Sequence, residues 1–143
     1  MRMALAEAQK AADHDEIPVG AVIVAGKTVI SRAYNLTETL TDPTAHAEMQ
    51  AITAAANLLG GKYLTGCTLY VTVEPCAMCA GALIQSRIRT LYYGTADLKA
   101  GAAGSVIDLL ENKIFNHKVK VVSGILETES SEMLKQFFRQ LRS

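Results

Sequence analysis

The sequence predicts an α/β domain in three layers, a mixed five-stranded sheet with helices on both faces. Three observations carry that expectation. Segments alternate as helix, hairpin, helix, strand, helix, strand, strand, helix, an order that lays helices over a sheet. The early hairpin brings antiparallel pairing, while strands separated by helices can pair in parallel, so the sheet is mixed. The chain has 143 residues, 50% of them apolar, which suits one domain over 1–143 with one core.

Residues 1–15 are rich in Ala, Glu, Gln, Lys and Leu, all good helix formers, with Met3, Leu5, Ala8, Ala11 and Ala12 as the buried stripe. Ile17 and Pro18 end that helix and feed an apolar run of strand type, 19–24. Ala25, Gly26 and Lys27 make a tight turn, and 28–34 return as the second strand. A polar loop, 35–41, leads to the second helix. Asp42 followed by Pro43 has the form of a cap and a first helical residue, so this helix is expected from Pro43. It stops at Gly60 and Gly61, a C-terminal signal. Residues 67–72 read as a central strand, and a third helix over 76–86 has Pro75 at its start. A fourth strand, 90–93, precedes a loop rich in glycine and alanine, 94–104, and a short run, 105–110, expected to be helical. The fifth strand is 119–123. An amphipathic helix, 126–141, closes the chain with Phe137 and Phe138, one ring for the core and one for a substrate mouth.

Formal net charge is zero, with 14 basic and 14 acidic residues, which argues against a broad nucleic-acid footprint. The halves differ: 1–79 hold five Lys/Arg and eight Asp/Glu, whereas 80–143 hold nine and six. A modestly basic second half suits a few phosphate contacts. No apolar run nears the roughly twenty residues that span a bilayer, and no basic-then-apolar leader opens the chain, so the expected setting is cytoplasmic. Three cysteines, an odd number, fit a reducing compartment better than a disulfide framework.

The chemistry concentrates in two stretches, Thr44-Ala45-His46-Ala47-Glu48-Met49-Gln50 and Glu74-Pro75-Cys76-Ala77-Met78-Cys79. Cys76 and Cys79 are three apart, so on a helix both thiols point to one side. His46 adds an imidazole. Three such ligands make an open zinc site with the fourth corner left for water, whereas a structural zinc is closed by four. Cys67 or His117 could supply that fourth ligand, and Cys-x-x-Cys alone also fits a redox motif. Glu48 is then a general acid/base for catalysis, not a ligand. On a regular helix, however, residues two apart point about 200° apart, so His46 and Glu48 share a pocket only if it wraps the first turn.

His46-Ala47-Glu48 with Pro75-Cys76-Ala77-Met78-Cys79 resembles the cytidine deaminase superfamily of zinc nucleobase deaminases. Further matches narrow the likeness to the bacterial tRNA-specific adenosine deaminases. They are Ile17-Pro18-Val19-Gly20-Ala21-Val22, Gly101-Ala102-Ala103-Gly104-Ser105, Asn116-His117 and Phe137-Phe138-Arg139. The resemblance implies a cytidine deaminase-like fold and a homodimer with one zinc per subunit. It also implies conversion of adenosine to inosine at the first anticodon (wobble) position of an arginine tRNA. Residue by residue, His46, Cys76 and Cys79 bind zinc and Glu48 shuttles protons. Asn35 holds the base, and Ala47, Ile17, Pro18 and Val73 wall the pocket. Asp97, Lys99, Phe138 and Arg139 meet the anticodon loop. Ala96 departs from the pattern, at a position where related enzymes can carry a basic residue. The alternatives are a small-molecule deaminase of guanine or cytosine, or a non-catalytic zinc subunit that binds RNA or a partner.

Overall fold

The computed structural model describes every residue from Met1 to Ser143. Helix α1 (Arg2–Asp13) buries Ala4, Ala8 and Ala11, spaced to form one narrow apolar face, whereas Met3 of the expected stripe is exposed and Leu5 and Ala12 are half-buried. A hairpin follows, β1 (Gly20–Ala25) and β2 (Thr28–Tyr34), turned at Gly26 with φ 61°. Then come α2 (Ala47–Leu59), β3 (Cys67–Val73), α3 (Ala77–Gln85) and β4 (Thr90–Thr95). A short β5 (Lys120–Val122) and α4 (Glu127–Arg142) complete the chain. The strands lie in the order β2-β1-β3-β4-β5. β1 is antiparallel to both neighbours, and β3, β4 and β5 are parallel. This is the mixed five-stranded α/β fold expected from the sequence. No helix is long and apolar enough to cross a membrane.

Strand side chains alternate between faces, and each face has its own helices. Ala21, Ile23, Leu69, Val71, Leu91 and Tyr93 join Ala51 and Ala55 of α2 and Ala80 and Leu83 of α3 in one apolar cluster. Gly20 and Gly94 lie against the other layer, where α1 touches α4. A methyl group on Gly20 would overlap the Ala4 carbonyl oxygen and the Ala8 nitrogen. One on Gly94 would overlap the Ser130 hydroxyl and the Thr72 carbonyl. Bare backbone at these two positions lets the helices lie close on the strands.

Two expectations need correction. The second helix starts at Ala47, not Pro43, because Asp42 makes a local turn instead of a cap: its Oδ1 accepts the Thr44 N–H at 2.8 Å and the Thr44 hydroxyl at 2.7 Å. His46 is therefore the N-cap, with extended backbone at φ −69° and ψ 155°. In the third helix Cys76 is likewise an extended N-cap, φ −74° and ψ 177°, so Pro75 lies just outside. The second correction concerns 105–110, which is no helix. The Gly101 carbonyl accepts both the Val106 and Ile107 N–H groups, and Ala103 bridges Asp108, forming a compact turn. Gly104, at φ 128°, is outside any helical conformation.

Candidate active site

The end of β3 and the starts of α2 and α3 open on a cavity of about 570 Å³. His46 and Cys76 face each other from the two N-caps, and Cys79 stands in the first turn of α3. The sulfurs of Cys76 and Cys79 lie 3.7 and 3.5 Å from His46 Nδ1. All three ligand atoms fall within 4.8 Å of one another, a group that could hold a metal ion. Both helices aim the positive ends of their dipoles here, which favours thiolate.

Glu48, the second residue of α2, is 4% exposed and lines the same cavity as His46. The 200° conflict disappears because His46 precedes the helix. Its extended backbone frees its side chain from the helical spiral, so both groups reach one space.

These groups shift one another. Burial pushes the Glu48 carboxyl up to about 7, against the pull of His46. A hydrogen bond with Cys76 raises His46, with burial opposing. Hydrogen bonds from Cys79 and then His46 hold the Cys76 thiol down at about 4. Cys79 moves upward, through its hydrogen bond to Cys76 and through burial. One sulfur thus keeps a proton for the other, whereas a bound divalent cation takes both as thiolates.

Of the other residues singled out in the sequence, Asn35, Ala47, Ile17, Val73, Asp97, Lys99 and Phe138 line the cavity. Asn35 is buried, and its Nδ2 donates to Glu16 Oε1 at 3.4 Å and to the Thr37 hydroxyl at 3.3 Å. Pro18 is packed in the interior and does not line the cavity. Arg139 stands in an adjoining cleft with Lys99, Lys135 and Arg142. Neither alternative ligand reaches the cluster. Cys67 is buried at the far end of β3, about 20 Å along the strand at 3.3 Å per residue. His117 donates from Nε2 to the Ile88 carbonyl at 2.7 Å.

Sequence reasoning missed Val19, Thr37, Glu74, Leu98 and Leu134 in the lining. Two of these had a signal. Val19 is two residues from Ile17 in extended chain, and Leu134 is one helical turn before Phe138. Glu74 stands two residues before Cys76 in a stretch already singled out, but its role was not legible because it depends on which distant N–H groups lack partners.

Comparison with known proteins gives the family. The model of the MafB19-like deaminase family matches residues 1–142. The tRNA-specific adenosine deaminase of Bacillus subtilis is 49% identical over 142 residues, 99% of this chain and 88% of that one. The protein of the same name from Aquifex aeolicus is 48% identical, over 100% of this chain and 94% of its own. Among solved structures, one from work on A-to-I editing by tRNA:A34 deaminases at the wobble position superposes with a TM-score of 0.90. It is 47% identical and covers 94% of this chain and 97% of its own. With its fold, its cluster of ligating side chains and these full-length similarities, this chain belongs to the tRNA-specific adenosine deaminases, in the MafB19-like deaminase family.

Proposed function

We propose that this chain deaminates adenosine to inosine at the first anticodon position of a tRNA, an arginine tRNA. It would do so in the cytoplasm, as a homodimer with one zinc per subunit. The observation that carries the reading is the meeting of His46, Cys76, Cys79 and Glu48 at one cavity. Relatives near half identical over the whole chain support the choice of tRNA. Exposed Leu58, Leu59 and Tyr63, at and beyond the end of α2, offer apolar surface to a second copy.

Zinc fits the donor set. With usual Zn–S and Zn–N bond lengths, a tetrahedron places nitrogen and sulfur about 3.6 Å apart, and the two separations here are 3.7 and 3.5 Å. When bound, zinc supplies Lewis acidity that makes water a nucleophile at neutral pH. Glu48 takes the proton that water releases as its oxygen bonds to C6 of adenine. It hands that proton to N1, then carries the remaining hydroxyl proton to the 6-amino nitrogen as the bond from C6 to that nitrogen breaks, so ammonia leaves and inosine remains. Asn35 holds the base, with Ala47, Ile17 and Val73 closing around the ring. Asp97, Lys99, Phe138 and Arg139 meet the flanking nucleotides. A single-stranded anticodon loop suits the cavity, because its base can enter without melting a duplex.

The test is incubation of zinc-loaded protein with an anticodon stem-loop carrying adenosine at the first anticodon position. Inosine at that position supports the reading. Folded, metal-loaded protein that yields none rejects it, and ammonia release from free guanine or cytosine alone would point to a small-molecule deaminase.

A further inference from the structure

One wall of the cavity is built by Asp97, Leu98 and Lys99, at the start of a segment with almost no regular structure. A carboxylate holds that segment. Glu74 is 3% exposed and accepts four hydrogen bonds, all from residues 97–105. Its Oε1 accepts the Asp97 N–H at 3.1 Å and the Ser105 hydroxyl. Its Oε2 accepts the N–H groups of Ala103 at 2.9 Å and Ser105 at 3.1 Å. Neither ion pair of the molecule involves Glu74, so these hydrogen bonds from the loop are what satisfy its buried carboxyl oxygens.

Gly101 lies directly against this carboxyl group. A Cβ there would overlap the Glu74 carboxyl and the Asp97 carbonyl oxygen. The run Gly101-Ala102-Ala103-Gly104-Ser105 is therefore complementary to Glu74: a bare position to admit the carboxyl, then two N–H groups and a hydroxyl to bind it. Asp97 in turn accepts the Lys99 and Ala100 N–H groups at 3.0 and 3.1 Å, extending the order to the residue that carries the cation.

We propose that Glu74 is a positioning residue for the RNA substrate. Its carboxylate fixes the 97–105 wall so that Asp97 and Lys99 stand where the anticodon loop enters. This rests on the tRNA reading above.

Three variants test it. Glu74→Gln replaces an acceptor with an NH2 group facing donors, Gly101→Ala displaces the carboxyl, and Ser105→Ala removes one of the four bonds. On the stem-loop, zinc-loaded Glu74→Gln and Gly101→Ala should raise KM about tenfold or more with kcat within about threefold. Ser105→Ala should raise KM less, and should add nothing once Glu74→Gln is present. Amide hydrogen exchange should quicken at Asp97, Ala103 and Ser105 in Glu74→Gln while α2 keeps its protection. That readout needs no substrate, so it stands apart from any failure of the tRNA reading. Should Glu74→Gln misfold or lose zinc, Gly101→Ala and Ser105→Ala carry the same expectation. A fall in kcat at unchanged KM, additive effects of Glu74→Gln and Ser105→Ala, or unaltered exchange at those three amides would overturn the proposal.

Discussion

His46 and Glu48 show how one residue's backbone decides a site. The sequence identifies the pair and their chemistry, but a helix begun at Pro43 would have turned them apart. One extended N-cap resolves this, and its cause, the Asp42 side chain closing a turn on Thr44, is a choice between two capping roles that sequence leaves open. Glu48→Ala should keep one zinc per chain and lose turnover by a factor of about 10² to 10⁴, checked by metal analysis beside single-turnover kinetics. Retained activity would remove Glu48 from the chemistry. Cys67 is a buried thiol that burial pushes upward in pKa, within the apolar cluster. Cys67→Ser should keep full zinc stoichiometry and cost about 1–3 kcal/mol of stability in denaturant unfolding, since a hydroxyl replaces it in apolar surroundings. Loss of zinc from that variant would mean the ligands are wrongly assigned.

At the scale of elements, the strands and helices were legible because their periodicities and breakers agree. The loops were not, because they are held by buried side chains from elsewhere. Glu16, fully buried, accepts the N–H groups of Glu38 at 3.0 Å and Thr39 at 2.6 Å, and so ties down the loop after β2. Burial alone would raise its pKa, but hydrogen bonds from Thr39, Glu38 and Thr37 outweigh it and leave the carboxyl below its ordinary value. A depressed folded pKa gives stability that is present above the unfolded value near about 4.3 and lost as pH falls through the folded one. Unfolding measured over an acid pH series should therefore be steeper in the native protein than in Glu16→Gln, which should itself lose about 1–3 kcal/mol at neutral pH. Equal slopes would count against the clamp. Close packing of α1 on the sheet makes a second prediction. Gly20→Ala should cost about 1–3 kcal/mol or more, because the methyl meets backbone that cannot turn aside, and the shift in denaturant midpoint measures it.

For the whole molecule, alternation of segments was enough to give the layers, and one early hairpin was enough to make the sheet mixed. Charge was informative too. With 14 residues of each sign, the chain has no general attraction for RNA, and its cations near the cavity are few: Lys99, Arg139 and Arg142, with Lys135 already paired to Glu132. The salt dependence of stem-loop binding should accordingly be shallow, with a log–log slope of about −2 to −3. A much steeper slope, measured by titration at several salt concentrations, would mean that RNA also engages cations beyond this cleft, such as Arg87, Arg89 and Lys118. The most direct test of the central claim is X-ray absorption at the zinc edge of the loaded protein. The expected spectrum has two sulfurs near about 2.3 Å, one imidazole nitrogen and one further light atom near about 2.0 Å. A third sulfur, a second imidazole, or failure to bind zinc at all would contradict an open corner beside Glu48.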